Sequence, residues 1–239
     1  MASTRPAWAL NLPSGPSWYE KWWDFDSEQD LSDFAWTVVG GDGTEQCAWK
    51  GSISLSDEAF GSVVLTTDDH DNDSIIGQLK FETLKFALGK TYYLIARLKP
   101  GDATQQDVLF GAWIRDTVPL GGSDGFSDGV AFRKDDGDTN WDAIRAYNAS
   151  TFPDDYTQEN AVATATTSYV VLVMRIVMDA NTAGVGTITY HVDGVSKHTA
   201  GPTATIVHDE ELALGFGVMA GEAAAKTLTI DGVGILAER

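Results

Sequence analysis

The stretch from Ser168 to Thr199 has the pattern of antiparallel strands: a long apolar run, a loop, a run that alternates between apolar and polar positions, and a turn into a third run. From Tyr169 to Met178 both alternating sets of side chains are apolar apart from Arg175. This pattern predicts a strand inside a sheet, covered on both faces. A buried helix is the alternative, but the richness in Val and Ile favours a strand. Residues 186–193 alternate strictly, and Asp193-Gly194 predicts a tight turn into a third strand.

Similar patterns recur along the rest of the chain, separated by turn sequences rich in Gly, Asp and Pro. Helical signal is limited to a short segment at 25–33 and a turn near 220–225. We find no internal repeat and no interdomain linker. So many strands in one domain predict two stacked antiparallel sheets. The predicted strands are 34–39, 51–55, 61–67, 77–86, 91–99, 107–115, 129–134, 142–147, 162–166, 168–178, 186–193, 195–199, 212–219 and 226–236.

Residues 1–17 carry three prolines and little regular pattern, which predicts an extended N-terminal arm before a single β-sandwich domain at 18–239. Six of the eight tryptophans fall within the first 49 residues. They could pack on the sandwich as core and lid, or they could anchor a neighbouring subunit, since Trp is enriched at interface hot spots. The candidate partner-binding residues are Trp8, Leu10, Leu12, Trp18, Trp22 and Trp23.

The composition narrows the classes of partner. With 239 residues, 43% of them hydrophobic, the chain can bury a sizeable core. Its formal charge of -19 predicts that it binds neither nucleic acid nor an anionic membrane. The single cysteine, Cys47, cannot form an internal disulfide. The N-terminus lacks a signal-peptide pattern and no apolar run approaches about 20 residues, so we expect synthesis and retention in the cytoplasm.

A search for catalytic motifs finds no nucleophile elbow, no His-Glu-x-x-His, no P-loop and no dinucleotide fingerprint. His191 and His198 flank the predicted turn, either as ordinary polar-face residues or as a transition-metal pair without further ligands. Glycoside hydrolysis needs two carboxylates roughly 5–10 Å apart. The predicted strands contain no Glu-x-Asp or Glu-x-Glu pair, although carboxylates from distant strands could still meet. We therefore predict that the protein is not an enzyme.

One acidic run partly matches a calcium-binding loop. Asp69, Asp71 and Asp73 occupy its first three ligand positions. Ser74 stands where the loop requires Gly, and Lys80 stands where it requires a bidentate acid. A solvated acidic turn is the favoured interpretation and calcium is the alternative, so we expect no cofactor.

The order of several segments resembles the concanavalin-like jelly-roll group of lectin- and laminin-G-like sandwiches. The segments are FETLKFALGKTYYLIARLKP (81–100), DVLFGAWIRDT (107–117), DGVAFRKDDGDTNWDAI (128–144), TITYHVDGVSKHT (187–199) and LTIDGVGILAER (228–239). The closing strand is similar to that of tailed-phage virion proteins of this fold, including capsid decoration (cement) proteins. The resemblance implies an all-β, two-sheet antiparallel jelly roll.

The resemblance implies a structural virion protein on the outer surface of a capsid. Such a protein would bind the major capsid protein, stabilise the shell and form a homo-oligomer, with a trimer expected. The alternative is a carbohydrate-binding module or adhesin, including a tail or fibre component; a glycoside hydrolase is the third hypothesis. The fold hosts all of these functions and does not decide between them. A sugar site would use Trp113, Trp141, Tyr147 and Asp124.

Overall fold

Antiparallel β-strands make up most of the computed structural model, which describes residues 7–9, 12–40, 51–56, 61–81, 84–115, 119–120, 126–147 and 156–239. A 3-10 turn at Ala7–Ala9 and helix α1 (Glu28–Ser32) are the helical segments within these ranges. The strands are β1 (Trp18–Trp23), β2 (Phe34–Val39), β3 (Gly51–Ser56), β4 (Ser62–Thr67), β5 (Ser74–Leu79), β6 (Thr91–Pro100), β7 (Gln106–Trp113), β8 (Gly129–Lys134), β9 (Asn140–Ala146), β10 (Tyr156–Thr164), β11 (Val170–Met178), β12 (Val185–Val192), β13 (Val195–Thr205), β14 (Ala213–Ala220) and β15 (Thr227–Glu238).

Two antiparallel sheets pack face to face. Sheet A has the order β13-β12-β11-β6-β15-β4-β3, with β1 paired to the second half of β15. Sheet B has the order β10-β9-β8-β7-β14-β5-β2. The prediction of an all-β, two-sheet antiparallel jelly roll is therefore confirmed. Strand β1 is the element that the sequence patterns did not predict.

The strand predicted to lie inside a sheet is β11, which pairs with β12 on one side and β6 on the other. Leu172, Met174 and Ile176 project from it into the core between the sheets. Val173 projects from the opposite face and is also buried. The helical alternative for this segment is wrong, because its apolar residues are distributed over both faces of a central strand.

The short helical segment predicted at 25–33 is present as α1. Near 220–225, β14 ends at Ala220 and residues 221–224 form bends rather than a helical turn. None of the helices in the described ranges has the length and apolarity needed to span a bilayer.

The described part of the predicted arm lies against the outer face of sheet A. The Trp8 ring meets the Trp22 ring edge-on at 5.6 Å, and the Trp18 ring lies 5.7 Å from that of Tyr93. Ala9 is buried in the same cluster, which Leu12 also contacts. These contacts match the core-and-lid interpretation of the early tryptophans.

The structure corrects two of the candidate partner-binding residues. Trp22 and Trp23 are each 3% exposed, so their rings already pack within the domain and cannot anchor another subunit. Trp8, Leu12 and Trp18 are half-buried. Leu10 lies outside the described residues.

Candidate functional site

A cleft of about 530 Å³ opens where the end of β1 and β15 in sheet A faces the segment that follows β5 in sheet B. Its volume falls within the range of roughly 300–1,000 Å³ that is usual for small-molecule sites. Its lining combines aromatic, basic and acidic side chains. The lining residues are Tyr19, Lys21, Trp23, Asp33, Leu79, Lys80, Phe81, Leu84, Lys85, Tyr92, Ile235, Ala237 and Glu238.

Strand β1 supplies one wall of the cleft. Successive side chains on a strand point to opposite faces, so Tyr19, Lys21 and Trp23 share the face toward the cleft. Pairing of Trp18 with Glu238 and of Trp23 with Val233 fixes this register. Trp23 is buried at the floor, whereas Tyr19 and Lys21 are exposed at the rim.

Asp33 connects two residues of β1 that line the cleft, Trp23 at the floor and Lys21 at the rim. Its carboxylate accepts hydrogen bonds from Trp23 Nε1 at 2.9 Å and from Lys21 Nζ at 3.0 Å. The hydrogen bond from Trp23, reinforced by Lys21 and more weakly by Lys80, lowers the pKa of Asp33. The carboxylate is therefore ionised at neutral pH and holds Lys21 in place above the Trp23 ring, 4.7 Å from its centroid.

Two aromatic side chains stand exposed at the rim. Phe81 is 74% exposed and Tyr19 is 48% exposed. An apolar ring that remains in water beside a concave site gains by covering its face with a ligand. The pair therefore forms a stacking surface at the mouth of the cleft.

Two further lysines flank the aromatic rim. Lys80 and Lys85 are both exposed, and neither forms an ion pair with any residue in the described ranges. Lys85 Nζ donates to the backbone carbonyl of Asp209 at 2.9 Å. That contact orients the ammonium group without neutralising its charge.

The polar groups deeper in the cleft already have partners. The Tyr92 hydroxyl accepts from the Ala87 N–H at 2.9 Å and donates to the Lys85 carbonyl at 3.0 Å. Burial raises the pKa of Tyr92, so the hydroxyl remains protonated. Glu238 Oε2 accepts from the Thr91 N–H at 3.1 Å. The floor is thus held rigidly, while the rim offers aromatic faces, ammonium donors and carboxylate acceptors.

The sugar-binding residues predicted from the sequence do not come together. Trp113 and Trp141 are both fully buried. The Trp113 ring stacks on Phe126 at 6.0 Å, and the Trp141 ring meets Phe132 edge-on at 6.4 Å. Their faces are therefore not available to a sugar, which corrects their proposed role.

The two remaining sugar candidates are not part of the cleft either. Tyr147 is half-buried, with its ring 5.7 Å from that of His208. Asp124 lies outside the described residues. Apart from Trp23, which was predicted to bind a partner, the residues that line the cleft were not identified from the sequence. The signal available was the aromatic richness of Trp18–Trp23, which favours a strand.

The three residues predicted as calcium ligands do not form one group in the structure either. Asp69 and Asp71 are exposed in the turn, and Asp69 Oδ1 lies 3.1 Å from His70 Nδ1. The group whose ligand atoms lie within 4.8 Å of one another is instead Asp68, His70 and Asp73. Only Asp73 belongs to both sets, so the calcium loop suggested by the sequence is not formed.

A second acidic group consists of Asp24, Asp26 and Asp30, whose carboxylate oxygens approach within the same 4.8 Å. Burial and the neighbouring charge of Asp24 raise the pKa of Asp30 to about 6. Mutual repulsion within the group is therefore relieved by a proton on Asp30 in mildly acidic solution.

The two histidines at the hairpin point to opposite faces of sheet A. His198 pairs with Tyr190, whereas His191 pairs with Ser196 because the register shifts between these positions. Paired residues share a face, so His198 lies beside the Tyr190 ring at 5.9 Å and His191 lies on the other side. The transition-metal pair is therefore excluded.

The chain is similar in fold to solved structures of carbohydrate-related proteins. An endo-1,3-beta-glucanase from Streptomyces sioyaensis is 14% identical with a TM-score of 0.61, over 95% of this chain and 99% of that one. The metal-free carbohydrate recognition domain of Emp46p is 11% identical with a TM-score of 0.57, over 89% and 92%. A carbohydrate esterase from Shiga toxin-encoding bacteriophage phi24B is 17% identical with a TM-score of 0.53, over 90% and 95%. No protein-family model and no curated protein matches the chain.

These similarities agree with a concanavalin-like jelly-roll fold and overturn one prediction. The protein was predicted not to be an enzyme because its strands carry no paired acids. A glucanase and a carbohydrate esterase have the same fold. The absence of paired acids within the strands therefore does not exclude an enzyme, and the prediction is wrong. None of the three structures described above is a capsid decoration protein.

Proposed function

We propose that this protein binds carbohydrate in the cleft between the sheet ends, as a lectin-like, glycan-recognising domain. The observation that carries the proposal is the exposed pair Phe81 and Tyr19 beside a concave site lined by ionised side chains. Capsid decoration has no support in the fold comparison. The major capsid protein as partner, the trimer and the virion location stay predictions.

Sugar recognition needs both an apolar face and fixed hydrogen-bonding groups. The C–H face of a pyranose can stack on Phe81 or Tyr19, because both rings are otherwise left in water. Its hydroxyls can donate to the carboxylates of Asp33 and Glu238 and accept from lysine ammonium groups. Because Asp33 and Glu238 are already positioned by hydrogen bonds, little side-chain entropy is lost on binding.

The fold comparison supports the same class of ligand. The names of the three neighbours each refer to carbohydrate, as a glucanase, a carbohydrate recognition domain and a carbohydrate esterase.

A glycan array followed by calorimetric titration tests the proposal. We expect the purified protein to bind a subset of glycans, and Phe81→Ala to weaken that binding by about tenfold through loss of one stacked ring. Leu88→Ala is the matched control, because Leu88 is also a large exposed apolar residue, at 47%, but does not line the cleft. Absence of any glycan signal, or equal effects of the two variants, would contradict the proposal.

A glycan-cleaving enzyme at the same cleft is the second candidate. Asp33 and Glu238 come from opposite ends of the chain and line one cleft, and glycoside hydrolysis uses two carboxylates. The lowered pKa of Asp33 suits the carboxylate that acts in its ionised form. Release of reducing ends from a polysaccharide panel, lost in Glu238→Gln, would favour this candidate; binding without release would favour the lectin-like one.

A further inference from the structure

The cleft has a charge balance opposite to that of the protein as a whole. The chain carries 35 acidic and 16 basic residues, so a random patch should be acidic. The cleft is lined by three lysines, Lys21, Lys80 and Lys85, and by two carboxylates, Asp33 and Glu238. The lining residues that the structure describes therefore carry one net positive charge, within a strongly negative molecule.

Two of the three lysines are not held in an ion pair. Lys21 is neutralised by Asp33 at 3.0 Å. Within the described ranges Lys80 and Lys85 form no ion pair, both are exposed at the rim, and Lys80 acts only weakly on the charge of Asp33. A ligand anion that reached them would gain two charge-assisted contacts without breaking an existing ion pair.

Two other lysines of the described chain, Lys226 and Lys134, are instead held by internal contacts. Lys226 is nearly buried and lies 2.8 Å from Asp102 Oδ2, with Glu222 as a second partner. Lys134 is fully buried and donates to the Gln106 carbonyl at 2.7 Å. These lysines stabilise loops, whereas Lys80 and Lys85 face solvent beside a stacking surface.

We propose that the ligand of the cleft is an anionic glycan, a sugar that bears carboxylate or sulfate groups. The inference rests on the proposed carbohydrate-binding function and specifies its ligand. The sugar ring stacks on Phe81 or Tyr19 while its anionic group lies between Lys80 and Lys85. At physiological salt the Debye length is about 8 Å, so these adjacent ammonium groups act on the ligand more strongly than the distant acidic surface does.

Titration of the intact protein with matched oligosaccharides tests this inference. The probes are oligogalacturonate for the carboxylate, sulfated dextran oligomers for the sulfate, and neutral 1,3-linked glucose oligomers of the same length. We expect tighter binding of an anionic probe. Replacing both Lys80 and Lys85 by Ala should weaken that binding by about tenfold and change the affinity for the neutral probe by less than about twofold.

Two control variants separate the local charge from the net charge. Replacing both lysines by Arg keeps the positive charges and should retain most of the affinity. Lys197→Ala removes a positive charge from an exposed position on the edge strand β13, which three strands separate from β15, and should leave binding unchanged. Lys85 also donates to the Asp209 carbonyl, so its loss can affect folding. If Lys85→Ala shifts the thermal unfolding midpoint, the affinities of Lys80→Ala and Lys80→Glu for the anionic and neutral probes are compared instead.

The outcomes distinguish this inference from the function on which it rests. Neutral probes that bind as tightly as anionic ones, or anionic binding that survives loss of Lys80 and Lys85, would overturn the inference and leave carbohydrate binding intact. If none of the oligosaccharides binds, both fail. The relative affinities for the carboxylated and sulfated probes identify which anionic group the cleft takes.

Discussion

At the scale of single residues, Asp33 organises the candidate site without being its most exposed group. Its carboxylate fixes the Trp23 indole at the floor and the Lys21 ammonium at the wall. Because Lys21 is satisfied in this way, the charges left for a ligand are those of Lys80 and Lys85. This ion pair thus neutralises one of the three lysines that line the cleft.

Asp33→Asn should lower the free energy of unfolding by about 1 kcal/mol at neutral pH. A hydrogen bond to an ionised carboxylate is worth roughly 1.5–3 kcal/mol, discounted here because the Asp33 side chain is 42% exposed. The pKa of Asp33 is lowered from 3.8, so this contribution is fully present above the unfolded pKa, near pH 4. It is lost as the pH falls through the lower folded pKa.

Urea unfolding of wild type and Asp33→Asn from pH 7 down to about pH 2 measures this effect. We expect the difference between them to be largest at pH 7 and to shrink below about pH 4. Asp71→Asn, at an exposed carboxylate in the turn before β5, should match wild type throughout. A difference that stays constant with pH would show that the carboxylate charge is not its cause.

Tyr190 is a second single residue with a structural role, because its side chain links sheet A to sheet B. Its buried hydroxyl donates to the Ile144 carbonyl at 2.8 Å, and its ring meets Phe132 edge-on at 5.1 Å. Tyr190→Phe keeps the ring and should lower the free energy of unfolding by about 1–2 kcal/mol, because the carbonyl loses a buried donor. Tyr93→Phe, which removes a half-buried hydroxyl near Arg175 Nε, should cost less by the same urea measurement; a larger loss in Tyr93→Phe would refute the argument.

At the scale of elements, the β12–β13 hairpin shows what local sequence can specify. Asp193 has φ 50° and Gly194 has φ 78°, the left-handed conformations that a tight hairpin turn needs. Asp193 also accepts a hydrogen bond from the Val171 N–H at 2.9 Å, which ties the turn to β11. The Asp193-Gly194 dipeptide and the alternating residues beside it are therefore enough to predict the turn and the hairpin.

Gly194→Ala should lower the free energy of unfolding by about 1 kcal/mol through backbone strain alone. A Cβ at Gly194 would meet no atom within 4 Å, so crowding does not contribute. Gly194→Asn is the control, because Asn tolerates the left-handed region and should cost less than Ala. Equal losses in the two variants, measured as shifts of the urea midpoint, would argue against strain as the cause.

Long-range pairing explains which elements the sequence could not specify. Strand β1 forms because Trp18 lies opposite Glu238 at the other end of the chain, a pairing that no local pattern reveals. The cleft depends on the same pairing, since it combines β1 with residues that follow β5. Residue type also failed to indicate exposure, because Trp113 and Trp141 are buried whereas the exposed rim aromatics are Phe81 and Tyr19. Most strands were predictable from local patterns, although 77–86 and 162–166 overlap β5 and β10 only in part, and β1 and the cleft beside it were not predicted.

At the scale of the whole molecule, we expect the net negative charge to affect the stability of the folded state more than any single contact does. A formal charge of -19 on 239 residues produces net repulsion within the folded state. Acidic groups such as Asp24, Asp26 and Asp30 concentrate that repulsion locally. The lining of the cleft is a local exception to this acidic surface. Once salt screens the distant carboxylates, an anion bound in the cleft interacts mainly with the lysines beside it.

Raising NaCl from about 10 mM to about 150 mM should raise the Tm by a few degrees, because the Debye length falls from about 30 Å to about 8 Å and shields the acidic surface. KCl at the same ionic strength should give the same rise, since screening does not depend on the identity of the cation. A flat or falling Tm would contradict the dominance of repulsion. A larger rise with CaCl2 at matched ionic strength, reduced in Asp30→Asn, would instead show that a divalent cation binds the acidic group at Asp24, Asp26 and Asp30.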